Sequence, residues 1–129
     1  MSTRPHGAPA RDGGQAAVEL ALALPVVAVL VLAIVQVVVV IGDQLAVELA
    51  AREAARAAAV AASPAAAAER AANAATSLRP LAVDTRSGTD RVTVTVRHAS
   101  ATDVALIGAA IGDVTVIASV TMAREPPHG

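Results

Sequence analysis

The spacing of hydrophobic positions changes twice along the chain. An almost unbroken apolar run extends from Leu20 to Ile41, and Gln36 is its only strongly polar residue. An α-helix of this length, about 22 residues, rises about 33 Å, which is enough to cross the hydrocarbon core of a bilayer. Because a small soluble domain does not normally bury a helix that is apolar on every side, the run predicts a membrane span and not a core helix.

The helical pattern continues beyond the span. From Asp43 to Ala62 nearly every residue is a strong helix former, with alanine dominant. We therefore expect one long helix from about Gln15 to Ala62. Pro25 lies inside it and is expected to bend it, which a membrane span tolerates.

A second helix is predicted from Pro64 to about Leu78. Ser63 is a favourable residue at the N-cap, and proline fits the first helical position. The segment is rich in alanine and stops before Pro80. A flexible alanine-rich linker is the alternative for this stretch.

From Leu81 onward the spacing becomes the alternation typical of strands. Arg91–His98 alternates three valines with threonine and arginine, and Val114–Met122 alternates almost as regularly. Leu81–Val83 is a candidate for a third strand, joined to the next by the turn-rich segment Arg86–Asp90 in an antiparallel hairpin. The strands therefore predict a small antiparallel sheet.

The nine-residue segment Val104–Gly112 is apolar but too short to span a membrane. We expect it to be a short core segment. Gly108 and Gly112 have the small-xxx-small spacing that brings membrane helices together, so an assembly motif is the alternative.

Together these patterns predict an α+β chain: a long N-terminal transmembrane helix that continues outside the membrane, an Ala-rich second helix and a small antiparallel sheet. The expected divisions are a disordered cytoplasmic leader (1–14), a transmembrane helix (15–42), an extracytoplasmic helical region (43–78), a small antiparallel β region (79–124) and a flexible tail (125–129).

Flanking charges predict the orientation of the span. Arg4 and Arg11 precede it, whereas Asp43 and Glu48 follow it, so the positive-inside rule places the N-terminus in the cytoplasm. A cleaved secretory signal peptide is the alternative, but its apolar core would be shorter and followed by a polar break.

Composition excludes several classes of site. The chain has no cysteine and no aromatic residue, and its net charge is −1, so thiol chemistry, base stacking and a basic nucleic-acid surface are not expected. The histidines, His6, His98 and His128, are too scattered to form a metal site. We predict no enzyme activity, cofactor, metal, nucleic-acid partner or small-molecule substrate.

The start of the span carries a recognisable pattern. Gly14 is followed by Gln15, by an acid at Glu19 and then by the apolar run. This arrangement resembles the type IV prepilin-like (class III) signal, in which a short hydrophilic leader ends in glycine and an acid stands at the fifth mature position. More closely, GQAAVELALALP followed by GDQLAVELAAREAARAAA looks like the TadE-like pseudopilins of tight-adherence (Flp-type) pilus systems, over residues 11–62.

The resemblance implies a function. A prepilin peptidase would cut between Gly14 and Gln15 on the cytoplasmic side, and the product would be a minor or accessory pilin-like subunit of a Flp-type pilus or related secretion apparatus. Its partners would be the peptidase, other pilin or pseudopilin subunits and the lipid bilayer of the bacterial cell membrane.

Two alternatives remain open. Glu19 would pair with the freed α-amine of a neighbouring Gln15 during assembly, or it would lie at headgroup level and interact with the helix N-terminus. The whole chain would be a processed subunit, or an uncleaved single-pass membrane protein whose outer domain binds or regulates a partner.

Overall fold

The computed structural model of the chain describes residues 12–102 and 107–124. Within these residues the elements are α1 (Asp12–Val60), α2 (Pro64–Ala75), β1 (Ala82–Ser87), β2 (Arg91–Ser100), α3 (Ile107–Ile111) and β3 (Val114–Ala123). The predicted fold class is confirmed: a long apolar N-terminal helix, a shorter second helix and a small antiparallel sheet. The chain divides between Ile34 and Val35 into two compact units, which are described separately.

The described part of the first unit is the N-terminal part of α1. The helix begins at Asp12, so the prediction of a disordered leader is wrong for residues 12–14, and residues 1–11 lie outside the described residues. Each residue added to an existing helix gains a backbone hydrogen bond, and the helix therefore extends back across Gly13 and Gly14. It is also continuous through Pro25.

Side chains of α1 are exposed along its apolar run. Within the described chain α1 is the one helix long and apolar enough to cross a membrane, and only 6% of its most apolar stretch is buried. A helix that is apolar on every side and uncovered needs an apolar environment. This finding fits a membrane anchor.

The second unit contains the sheet, in the order β1-β2-β3 with both neighbours antiparallel. β1 is longer than the predicted Leu81–Val83, because its pairing with β2 continues to Ser87 opposite Val92. The hairpin is closed by the Gly88 backbone N–H, which donates to the carbonyl of Arg91 at 2.7 Å.

The two faces of the sheet differ as the alternation predicted. Val92, Val94 and Val96 of β2 are fully buried. On the opposite face, hydroxyl groups pair across the strands: Thr93 with Thr121 at 2.8 Å and Thr95 with Ser119 at 3.0 Å. One face is therefore apolar and the other carries its own hydrogen bonds.

The core of the second unit joins these valines to small side chains of the helices. Five alanines of α1 have no exposed surface, and two alanines of α2 are buried with them: Ala50, Ala51, Ala54, Ala55, Ala58, Ala68 and Ala72. Alanine side chains let elements approach closely, and because they bury little area each, the core depends on close packing.

α2 begins and ends for different local reasons. Ser63 occupies its N-cap position without a side-chain capping hydrogen bond, and Pro64 is the first helical residue. The helix ends at Ala75 and not at the predicted Leu78. The guanidinium of Arg79 donates to the backbone carbonyls of Asn73 and Thr76, both at 3.0 Å, and so satisfies acceptors that the helix end leaves free.

The segment between β2 and β3 differs from the core segment that we predicted. Ile111, at the end of α3, is 67% exposed, and Ala109 and Ala110 are exposed as well. Residues 104–106 lie outside the described residues. The prediction is therefore wrong for the described end of this segment: apolar composition indicated burial, but protein atoms do not cover the side chain of Ile111.

The alanine packing makes a prediction. Ala68→Leu should lower the free energy of unfolding of the second unit by about 1–3 kcal/mol, because three extra carbons must enter a filled core. Ala66→Leu, on the exposed side of the same helix, should change it by less than about 0.5 kcal/mol. The measurement is pulse proteolysis by trypsin across a urea series, on the full chain in detergent. Equal effects of the two substitutions would contradict the packing.

Candidate functional site

The sequence-predicted site lies in the first turns of α1. Gly14, Gln15 and Glu19 are all exposed and helical. The Gln15 side-chain amide donates from Nε2 to Glu19 Oε1 at 3.5 Å, a long and therefore weak hydrogen bond. The structure thus brings Gln15 and Glu19 together on one side of the helix, as their separation of four residues requires.

The peptide bond between Gly14 and Gln15 is sterically open. A Cβ atom built on Gly13 or Gly14 would meet nothing within 4 Å. The first four backbone N–H groups of a helix have no intrahelical acceptor. Since α1 starts at Asp12, these groups include that of Gln15, and the helix can open here at little cost in hydrogen bonds.

A second group of polar side chains lies further along α1, in the second unit. We call Gln36, Asp43 and Gln44 the junction residues, because each one contacts a residue of the chain from Ser100 onward. Ser100 Oγ donates to Asp43 Oδ2. Gln36 Nε2 lies 3.5 Å from the Thr102 hydroxyl, and Gln44 Nε2 donates to the backbone carbonyl of Ile117 at 3.2 Å.

The burial of Gln36 follows from its contact with Thr102. Gln36 is 7% exposed although the side chains on both sides of it are open. The Thr102 hydroxyl also donates to the carbonyl of Gly112 at 2.7 Å, so a chain of hydrogen bonds runs from α1 to the end of α3. A buried amide is stable here because its donor has a partner.

Sequence reasoning noticed Gln36 and Asp43 but missed their contacts. In the sequence, Gln36 stood out only as the polar residue of the apolar run, and Asp43 only as an acid that follows the span. They are seven residues apart, or about two helical turns, so they lie on one face of α1. That shared face was the available signal, although it does not identify Ser100 or Thr102 as partners.

The remaining histidine of the described chain has a structural role. His98 is nearly buried in β2, and its Nδ1 lies 2.9 Å from the carbonyl of Pro80. A carbonyl can only accept, so Nδ1 carries the proton and donates. Among the described residues, no group of three or more His, Cys, Asp or Glu side chains is arranged to hold a metal ion.

Residues 14–56 match the family model described as TadE-like protein. This part of the chain is TadE-like. Comparison with curated proteins and with solved structures gave no match. The TadE-like segment begins at Gly14 and includes every candidate residue on α1, whereas α2 and the sheet lie beyond it.

The match agrees, over residues 14–56, with the resemblance that the sequence pattern suggested. TadE-like proteins are implicated in tight-adherence (Flp-type) pilus systems, and α1 fits a single membrane anchor for such a protein. The TadE-like segment also contains the junction residues, so the helix that resembles the family carries the contacts to the sheet.

The junction makes a prediction that a double-mutant cycle tests. Asp43→Ala and Ser100→Ala should show a coupling energy of about 1.5 kcal/mol or more, because a hydroxyl donates to a half-buried carboxylate. The control pair is Glu48–Arg52, an exposed ion pair at 3.2 Å, whose coupling should be about 0.3–0.5 kcal/mol. Stabilities come from pulse proteolysis of the second unit. Equal couplings would contradict a structural role for the Asp43 contact.

Proposed function

We propose that the chain is a membrane-anchored minor or accessory pilin-like subunit, processed by a prepilin peptidase and used in a Flp-type pilus or related secretion apparatus. The observation that carries the proposal is the junction at the start of the TadE-like segment, where an open glycine, Gly14, precedes Glu19 and an uncovered apolar helix. The proposal assigns no catalytic role to the chain.

The accessibility of the Gly14 bond supports processing. Hydrolysis would add one water across the peptide bond, leaving a carboxylate on Gly14 and a free α-amine on Gln15. Proteases generally need their substrate extended, and the first turn of α1 opens most easily because its N–H groups lack helical partners. The two glycines assist, since each costs about 1 kcal/mol in a helix relative to alanine.

The position of Glu19 supports a role in assembly. A charged side chain at the bilayer centre costs about 2.5–3.5 kcal/mol on insertion scales, and less near an end of the span. In the intact chain the neighbour of Glu19 is the neutral amide of Gln15, at a distance that gives little stabilisation. A free α-amine on Gln15 of an adjacent subunit would neutralise the carboxylate and fix the axial register.

The exposed apolar side chains of α1 suit the subunit both before and after assembly. Before assembly, the exposed apolar residues from Val18 to Ile34 would be covered by lipid, with the N-terminus in the cytoplasm. After assembly, the same residues would pack against helices of neighbouring subunits. A helix apolar on all sides suits either environment.

The proposal predicts a defined cleavage. Co-expression with the cognate prepilin peptidase should give a membrane-resident product that starts at Gln15 and lacks the mass of residues 1–14, as read by N-terminal sequencing and intact mass. Gly14→Leu should stay uncleaved, whereas Ala16→Leu, with glycine still before the bond, should be cut. If the leader stays intact in the presence of active peptidase, the chain is instead an uncleaved membrane anchor whose outer unit binds a partner.

The role of Glu19 predicts a separation of two steps. Glu19→Gln should be cleaved like the unaltered chain, but at least about tenfold less of it should enter filaments. An unpaired amine or acid in an apolar environment is destabilised by more than about 1.4 kcal/mol, which is the free energy of a tenfold change. The matched control is Glu69→Gln, an exposed acid of α2. The measurement compares sheared filaments with membranes by immunoblot.

An N-terminal glutamine can cyclise and lose its charge, so the mass of the assembled subunit must be read as well. Normal assembly of Glu19→Gln, or normal assembly of subunits with a cyclised and neutral Gln15, would rule out the proposed pairing.

A further inference from the structure

We propose that α3 is a membrane-contact element that lies in the headgroup and acyl boundary of the bilayer, beside the outer end of the span. This inference rests on the proposed anchoring of α1 in the membrane. It concerns only the second unit, which contains both α3 and the last residues of the apolar run. The partner is the lipid itself.

The position of α3 along α1 supports contact with lipid. A cleft of about 240 Å³ separates the two helices, and its exposed lining is wholly apolar. Val37, Val40 and Ile41 line it from α1, whereas Ile111 and Val114 line it from the other side. α3 therefore lies beside the last turns of the apolar run and not beside the alanine-rich part of α1 that follows.

Thr102 contacts α1 within the apolar run and not only at its end. Gln36, its partner on α1, precedes Ile41 by five residues, or about 7.5 Å along a helix. The Thr102 hydroxyl in turn donates a hydrogen bond to the carbonyl of Gly112. Polar groups near lipid need internal partners, because water is scarce there, and these groups have them.

Two segments change from apolar to polar at matching positions. On α1 the change occurs between Ile41 and Asp43. After α3 it occurs between Ile111 and Asp113, where Gly112 has a φ of +72°, a turn that glycine makes without steric cost. Since Ile41 and Ile111 line the same cleft, the two changes mark one boundary.

The exposed side chain of Ile111 also supports contact with lipid. Its 67% exposure would be unfavourable in water but favourable at a bilayer surface, by about 25 cal/mol for each Å² covered. The exposed side chains of Val37 and Ile41 adjoin it across the cleft. The surface of α3 is thus continuous with the lipid-facing surface of the span.

The charges at the boundary identify the kind of lipid surface. The ionisable residues that directly follow the two apolar segments are Asp43 and Asp113, both acids. An anionic surface attracts basic and not acidic segments. We therefore expect contact with a zwitterionic bilayer, driven by apolar burial of about 5–10 Å depth, as for interfacial helices.

The experiment uses fluorescence, because the chain has no tryptophan and one introduced tryptophan is the sole reporter. The full chain is reconstituted in phosphatidylcholine vesicles whose acyl chains carry bromine either near the headgroup or near the chain end. Ile111→Trp is compared with Leu30→Trp, in the middle of the span, and with Val60→Trp, at the end of α1; the replaced residues are 67%, 59% and 72% exposed. Circular dichroism checks that each variant is folded.

Shallow bromines should reduce the emission of Ile111→Trp at least about twofold and deep bromines less, as expected for a side chain at about 5–10 Å depth. Leu30→Trp should be quenched most by deep bromines, and Val60→Trp only by aqueous iodide. If Ile111→Trp alters the fold, Ala110→Trp, also at an exposed position of α3, takes its place.

Two results would overturn the inference, and they differ from a failure of the anchor. If Ile111→Trp behaves like Val60→Trp while Leu30→Trp is quenched by lipid, α3 faces water on an anchored protein. Alternatively, Ile111→Trp protected from both lipid and iodide would mean that another protein surface covers α3. Absence of lipid quenching in Leu30→Trp would refute the membrane anchoring itself.

Discussion

The close packing of α1 alanines against the valines of β2 is the interaction on which the second unit depends. The chain has no aromatic residue, so the core is assembled from many small side chains that each bury little area. Such a core stabilises only if helix and sheet approach closely, because dispersion falls steeply with separation. The run of buried alanines from Ala50 to Ala58 provides that approach, and any enlargement there acts on the whole unit.

α1 has two surfaces that serve different partners. Up to about Ile41 its side chains are apolar and mostly open, as suits lipid or neighbouring helices. Beyond Asp43 one side is covered by the sheet and the other carries ion pairs such as Glu48 with Arg52. The junction residues lie where one kind of surface gives way to the other, and their hydrogen bonds satisfy polar groups close to the apolar run.

Much of this fold could be predicted because its patterns are local. The apolar run predicted α1, and the alternating valines predicted β2 and β3. What could not be predicted depends on distant residues: Asp43 accepts a hydrogen bond from Ser100, which is 57 positions away, and Gln44 donates to the carbonyl of Ile117, which is 73 positions away. The burial of Ile111 was wrongly predicted because apolar composition alone does not distinguish a buried side chain from an exposed one.

The contact between Gln44 and Ile117 has a consequence for the biogenesis of the chain. β3 is an edge strand of the sheet, and an uncovered edge invites pairing with other unfolded chains. The side-chain amide of Gln44, 73 residues upstream, donates a hydrogen bond to the carbonyl of Ile117 in that strand. Synthesis proceeds from the N-terminus, so α1 exists before β3 emerges. The Gln44 side chain is therefore in place to bond this carbonyl as soon as β3 forms, which closes that one position of the edge to another strand.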